Sequence, residues 1–210
     1  MNFLLYLSLI TILLLLLNKF FINNNILISE TGDRHQKFTS KDKVPLTGGI
    51  FLFLSFLFFY NDEILSFILF SFFILFLGIF SDLKHLKSAL SRFLIQISLV
   101  LSFVIFNDFR LFDTRIYLLD RLLTHEVFNY IFVSFCILIV INGSNFLDGL
   151  NTLNIGYYLL ISLVLYYLHT NNLILINKIF VNYILILLII TYFLNFINKI
   201  YLGDSGSYLL

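Results

Sequence analysis

Three aspartates sit where apolar runs stop. In NGSNFLDGLN, residues 142–151, the side chains Asn145, Asp148 and Asn151 recur every third position, so on a helix or tight turn Asp148 has an amide neighbour on either side along one face. One anionic oxygen among neutral ones suits a hard cation such as Mg2+, which takes few protein ligands and leaves its other positions to phosphates and water. In GIFSDLKHL, Asp82 follows an apolar run directly, with Ser81 before it and Lys84 and Lys87 after it. In LGDSGSYLL, Asp204 stands between Gly203 and Ser205 where another helix is expected to start, a place where free backbone amides and the helix dipole attract phosphate. Each acid alone could be a helix cap, since Asn, Asp and Gly are the usual caps. Three of them on one side of a membrane would make a site for a cation and a diphosphate. A further loop, ETGDRHQKFTSKDKVPLTGGI, supplies Arg34, His35 and Lys37, then Pro45 and the adjacent Gly48 and Gly49. It suits either anionic headgroups or phosphate, and its residues alone do not separate the two.

The elements that must position these residues are membrane helices. Of 210 residues, 60% are hydrophobic and 19% aromatic, with a single proline, and the apolar runs exceed what a soluble core needs. A backbone amide in hydrocarbon has no water to bond, so each span is expected to be helical. The fold class expected is an all-α polytopic membrane bundle. Its spans fall near 2–17, 44–60, 64–80, 93–106, 127–141, 154–168 and 180–193, about seven in all, with the start of an eighth at Tyr208. The N-terminus lacks a basic leader and a small-residue cleavage site, so 2–17 is expected to stay as a span. The single cysteine, Cys136, lies inside an apolar run and excludes a disulfide framework or a thiolate metal site. A net charge of +1 without any basic block excludes nucleic acid as a partner.

Alternation of sides sorts the loops into two sets. One holds the loops near 18–43, 81–92, 142–153 and 194–207; the other holds those near 61–63, 107–126 and 169–179. The first carries Lys19, Arg34, Lys37, Lys41, Lys43, Lys84, Lys87, Arg92 and Lys199, against Arg110, Arg115, Arg121 and Lys178 on the other side. The positive-inside rule makes the first set cytoplasmic and the N-terminus external. Glycine follows the same division, every one lying in or within about a turn of the first set, as expected where backbone takes positive φ or closely approaches a ligand. The segment 107–130 alternates charged and apolar residues and is expected to form an amphipathic hairpin or surface helix on the outer side, with His125 and His169 interfacial.

The same residues resemble a known family, the polyprenyl-phosphate N-acetylhexosamine-1-phosphate transferases of bacterial lipid-linked glycan synthesis. Four motifs carry the resemblance, in order: RHQ with VPLTGGI, GIFSD with LSRFLIQ, NGSNFLDGLNTLNIG, and KIYLGDSGSYLL. It implies transfer of a sugar 1-phosphate from a UDP-N-acetylhexosamine to polyprenyl phosphate with Mg2+ or Mn2+, releasing UMP, at the cytoplasmic face of the bacterial inner membrane. By motif position, Asp82 is implied to assist attack by the lipid phosphate and, with Asp204, to hold the metal. Asn145 and Asp148 are implied to line the nucleotide and metal site, with Asn151, Arg34, His35, Lys84, Arg92, Gly203 and Ser205 completing the set that binds substrate. The chain departs from the family where Ser81 replaces the first of two paired acids and Asn151 replaces a second aspartate. The family continues through further spans to a His-bearing inner loop, so 1–210 is expected to be a single transferase domain cut short at its end. An inactive paralogue and a transporter are the competing expectations. Charge-free span centres disfavour the transporter, and a homodimer is compatible with the sequence.

Overall fold

The computed structural model describes residues 2–29, 43–60, 64–148, 152–174 and 177–210; their regular elements are all helices, with one isolated bridge pairing Ile28 and Pro45. In chain order the helices are α1 (Phe3–Asn24), α2 (Gly48–Phe56, continued by a 3-10 turn Leu57–Phe59), α3 (Leu65–Asp82), α4 (Ala89–Phe106) and α5 (Tyr117–Leu123). These are followed by α6 (Glu126–Leu147), α7 (Leu153–Thr170), α8 (Lys178–Phe196) and α9 (Gly203–Ser207).

Six of these, α1, α3, α4, α6, α7 and Ile179–Phe196 of α8, are long and apolar enough to cross a membrane. The expected second span, 44–60, is helical only over Gly48–Phe59. Pro45 accounts for the late start. It disfavours helix at Val44, and its strand-like stretch is taken up by Leu46 N–H bonding Leu27 O at 2.7 Å and by Tyr201 N–H bonding Pro45 O at 2.9 Å. At Tyr208, where the start of an eighth span is expected, helical backbone bonding carries on from α9, with Tyr208 N–H on Asp204 O at 3.1 Å and Leu210 N–H on Gly206 O at 3.2 Å.

Each long helix buries only a stripe. On α1 the buried residues are Phe3, Leu7, Leu14 and Asn18, spaced by whole turns, while Leu4, Leu5, Leu9 and Leu16 keep more than half their surface. Apolar surface on the outside suits lipid, so association rests on close packing and interhelical hydrogen bonds instead of on expulsion of water. Two packed groups result. One joins α1, α2, α7 and α8 around Phe3, Leu7, Phe51, Ile155 and Leu188; the other joins α3, α4 and α6 around Ile74, Leu77, Val100 and Ile141. Residues that follow α9 connect them: Leu209 packs against both.

The loops grouped above by alternation do gather at common ends. Asn18 near the end of α1 accepts from Thr47 before α2 (2.8 Å) and donates to Lys199 O after α8 (3.1 Å); Thr152 before α7 donates to Asn195 of α8 (3.0 Å). At the opposite end Phe3 meets Phe58 and Tyr183, Ser66 bonds Asn107 (2.6 Å), and Arg110 bridges Asp108 and Glu126. There α5 forms the expected short surface helix, held by Asn129, which bonds both backbone groups of Leu111 and the carbonyl of Leu123.

Candidate functional site

At the first of these ends, α9 is held against α2 and α3 by backbone contact. A Cβ on Gly78 of α3 would lie 2.3 Å from Ser205 Cα, and one on Gly49 of α2 would lie 2.6 Å from Ser205 C. Only glycine allows that approach. Gly48 N–H is spent on Tyr201 O at 2.9 Å. These glycines therefore seat one helix on another, and Gly48 and Gly49 face protein backbone, not a phosphate; the glycine bias read as ligand approach is, at these positions, helix packing.

Because α9 is pressed so closely onto α3, the carboxylate that ends α3 meets the amides that begin α9. Asp82 accepts from Asp204 N–H at 2.8 Å through Oδ1 and from Ser205 N–H at 3.1 Å through Oδ2. Gly203, at φ +65°, leaves room for that carboxylate, whose oxygens would lie 2.8 and 2.9 Å from an added Cβ. The Gly203 amide in turn serves Asp148, the residue that caps α6. The amides expected to be free for phosphate are thus bonded to Asp82 and Asp148, as N-terminal amides commonly are to acidic side chains.

Asp204 turns toward α4. Its Oδ2 pairs with Arg92 at 2.7 Å and accepts from the Ser81 hydroxyl, while Arg92 also donates to Ser81 Oγ at 2.7 Å. Ser81, noted in the sequence as a missing acid, here donates to Asp204 where a second carboxylate would repel it. Asp148 shows how negative this end remains: burial first, then the charges of Asp82 and Asp204, push its carboxyl up to about 8, with the Gly203 amide pulling the other way. Tyr208, buried beside Asp204, is pushed up to about 12 by burial and by that acid.

Asp82, Asp148 and Asp204, from α3, the end of α6 and α9, are brought together with Arg92. Asn145 joins them, donating to Tyr208 Oη at 3.2 Å and accepting from Ser207 at 3.4 Å. Ser205 is fully buried with its hydroxyl on Leu202 O (3.4 Å), so it contributes its amide. Lys84 is exposed at positive φ just past α3. Arg34, His35 and Asn151 lie outside the described residues. Outside the expected set stand Ser144 and Asn154, buried partners of each other (3.0 Å) that tie α6 to α7 and to Ser207 O (2.6 Å). Both lie inside the NGSNFLDGLNTLNIG motif, but polar residues near a helix end give no sign of facing inward.

Beside the acids a cavity of about 410 Å3 opens between α4 and α6, lined by Arg92, Gln96, Asn142, Asn145 and Tyr208. Gln96 is 1% exposed and bonds Asn142 (3.1 Å), yet its Nε2 retains an unused N–H, and Arg92 Nε is likewise unpartnered. Two buried donors without acceptors favour a ligand that presents oxygen. As to a metal, no three Asp, Glu, His or Cys side chains among the described residues form a cage for one. The donor chemistry nonetheless fits a hard divalent ion held by one or two carboxylates, with phosphates supplying the remaining ligands.

The fold and this end define a polytopic membrane protein that gathers carboxylates and an arginine at one surface. The chain belongs to glycosyl transferase family 4, whose model matches residues 64–210. At the level of that family it is a glycosyl-1-phosphate transferase, moving a sugar phosphate onto polyprenyl phosphate. No curated protein and no solved structure matches it.

Proposed function

We propose that the chain transfers N-acetylhexosamine 1-phosphate from a UDP-sugar to undecaprenyl or a similar polyprenyl phosphate, at the cytoplasmic face of a bacterial inner membrane. A phosphate oxygen of the lipid attacks the phosphorus that bears the sugar. The bond from that phosphorus to the bridging oxygen breaks, UMP leaves with the electron pair, and a polyprenyl diphosphate sugar remains. The observation that carries this reading is the convergence of Asp82, Asp148 and Asp204 with Arg92 at one end of the bundle. Two phosphates repel, so each must be screened before they meet.

Arg92, reaching the cavity beside Asp204, supplies fixed positive charge for the lipid phosphate or the diphosphate. Asp148 and the Asp204 oxygen not bonded to Arg92 are the groups that would hold Mg2+ or Mn2+, with Asp82 keeping α9 in place from below. Such an ion, when bound, neutralises charge developing on the leaving UMP. This departs from the expectation that Asp82 is itself a metal ligand, since both its oxygens already accept backbone N–H groups.

The test uses membranes carrying the chain, labelled UDP-N-acetylglucosamine and undecaprenyl phosphate. Lipid labelling is expected to fall at least roughly a hundredfold in Asp204→Asn. Equal labelling by the unaltered chain, Asp82→Asn and Asp204→Asn would discard the proposal.

A further inference from the structure

A second cavity, about 650 Å3, lies at the same end but on the outer flank of α1. Its wall is apolar, formed by Ile12 and Leu16 of α1 and Ile197 after α8, and its rim is Lys19, Lys43 and Lys199. Three separate segments of chain bring those lysines to one opening. Among the described residues no Asp or Glu lines it, and Lys43 Nζ bonds a neutral acceptor there, Asn25 Oδ1 at 2.6 Å. Along α1 the positions 12, 16 and 19 share one face, so the apolar wall runs about 10 Å inward from the charge at 1.5 Å per residue. A single negative head above a hydrocarbon tail matches that order of surfaces.

None of Asp82, Arg92, Asp148 or Asp204 lines this cavity. Asn18, 4% exposed, forms part of its inner wall and is held there by the Thr47 hydroxyl at 2.8 Å, so the cavity has a lining separate from the acids. We propose that this cavity binds an anionic glycerophospholipid of the bilayer, its phosphodiester among the three lysines and an acyl chain along α1, as a structural lipid that ties α1 to the turns around α9. The lysine charge selects the headgroup and the apolar wall selects a lipid over a soluble phosphate.

The full chain, purified in a mild detergent, is exposed to phosphatidylglycerol, phosphatidylcholine, undecaprenyl phosphate or inorganic phosphate, and bound molecules are counted by native mass spectrometry. Phosphatidylglycerol is expected to be retained over phosphatidylcholine, with affinity falling about fivefold for each lysine changed to glutamine in Lys19→Gln, Lys43→Gln and Lys199→Gln. The matching Lys→Arg triple variant keeps the charge and is expected to retain the lipid, which separates loss of charge from loss of fold. Equal retention of the two phospholipids, or undiminished phosphatidylglycerol binding in the glutamine triple variant, would overturn the proposal. So would preferential retention of undecaprenyl phosphate, which would make the cavity a station for substrate, or loss of a dimer without any change in lipid, which would assign it to a second copy of the chain.

Discussion

Gly78→Ala tests whether α3 and α9 must touch. The added methyl would stand 2.3 Å from Ser205 Cα and 2.5 Å from Ser205 N, about 1.1 Å short of the 3.4 Å at which ordinary contact begins. Both neighbours are backbone, so no side chain can rotate aside and the helices must separate. Added to the 3.1 Å bond from Ser205 N–H to Asp82, a displacement of that size breaks it. Overpacking costs about 1–3 kcal/mol, and losing a hydrogen bond to a charged group costs about 1.5–3 kcal/mol. A destabilisation of about 3–5 kcal/mol is expected, together with a fall in turnover of about a hundredfold, the usual effect of misplacing a site by an ångström. Gly143→Ala is the control. Its methyl meets nothing within 4 Å inside α6, so helix propensity alone acts and stability is expected to rise by about 1 kcal/mol. Unfolding of both variants in detergent, followed beside the transfer assay, decides the matter. Wild-type stability and turnover in Gly78→Ala would refute the claim that close backbone contact holds Asp82 on α9.

Divalent cation binding should depend on pH through Asp148. Its carboxyl is raised to about 8, so the folded chain keeps a proton there between the ordinary carboxylate range and pH 8, and an ion must displace it. Mn2+ affinity, read by titration calorimetry, is expected to climb from pH 6 to about 8 and then level, with proton release that disappears in Asp148→Asn; a flat profile would count against the buried acid. Without cation the sign for stability is the reverse of the usual aspartate case: the folded state binds the extra proton, so stability from this group is present at low pH and lost as pH rises toward 8. Ser81→Ala removes the hydroxyl between Arg92 and Asp204 and is expected to lower stability by about 1–3 kcal/mol in thermal unfolding. Ser81→Asp is expected to weaken the chain without cation and to be rescued by Mg2+, because it adds a carboxylate beside Asp204. Gln96→Leu removes the unpartnered buried N–H and also the acceptor of the Asn142 bond, so it is expected to raise the KM of a phosphate substrate while thermal unfolding shifts by no more than about 1 kcal/mol.

How far these features could be read from the sequence depended on whether a local signal existed. Helices α1, α3, α4, α6, α7 and α8 announce themselves as apolar runs, and α2 differs from its apolar run only in length, where Pro45 and the Ile28 bridge delay it. The gathering of Asp82, Asp148 and Asp204 at one end followed from counting alternations. Which partner each acid takes did not follow. Gly78 and Ser205 are 127 residues apart in the chain, and nothing near either reveals that their backbones touch. For the same reason free amides were expected at the start of α9, where Asp82 from a distant helix already occupies them. Likewise, nothing local to Tyr208, 63 residues from Asn145, reveals that its hydroxyl accepts from that amide.

The central claim is that carboxylates from separate helices share one charged cluster, and the most direct measurement is a double-mutant cycle of Mn2+ affinity over Asp148→Asn and Asp204→Asn, read by electron paramagnetic resonance with UDP-N-acetylglucosamine present. Neighbouring acids should give single variants that each weaken binding and a double variant that departs from their sum by about 0.5–3 kcal/mol. Additive losses, or Mn2+ bound equally well by all four forms, would contradict it.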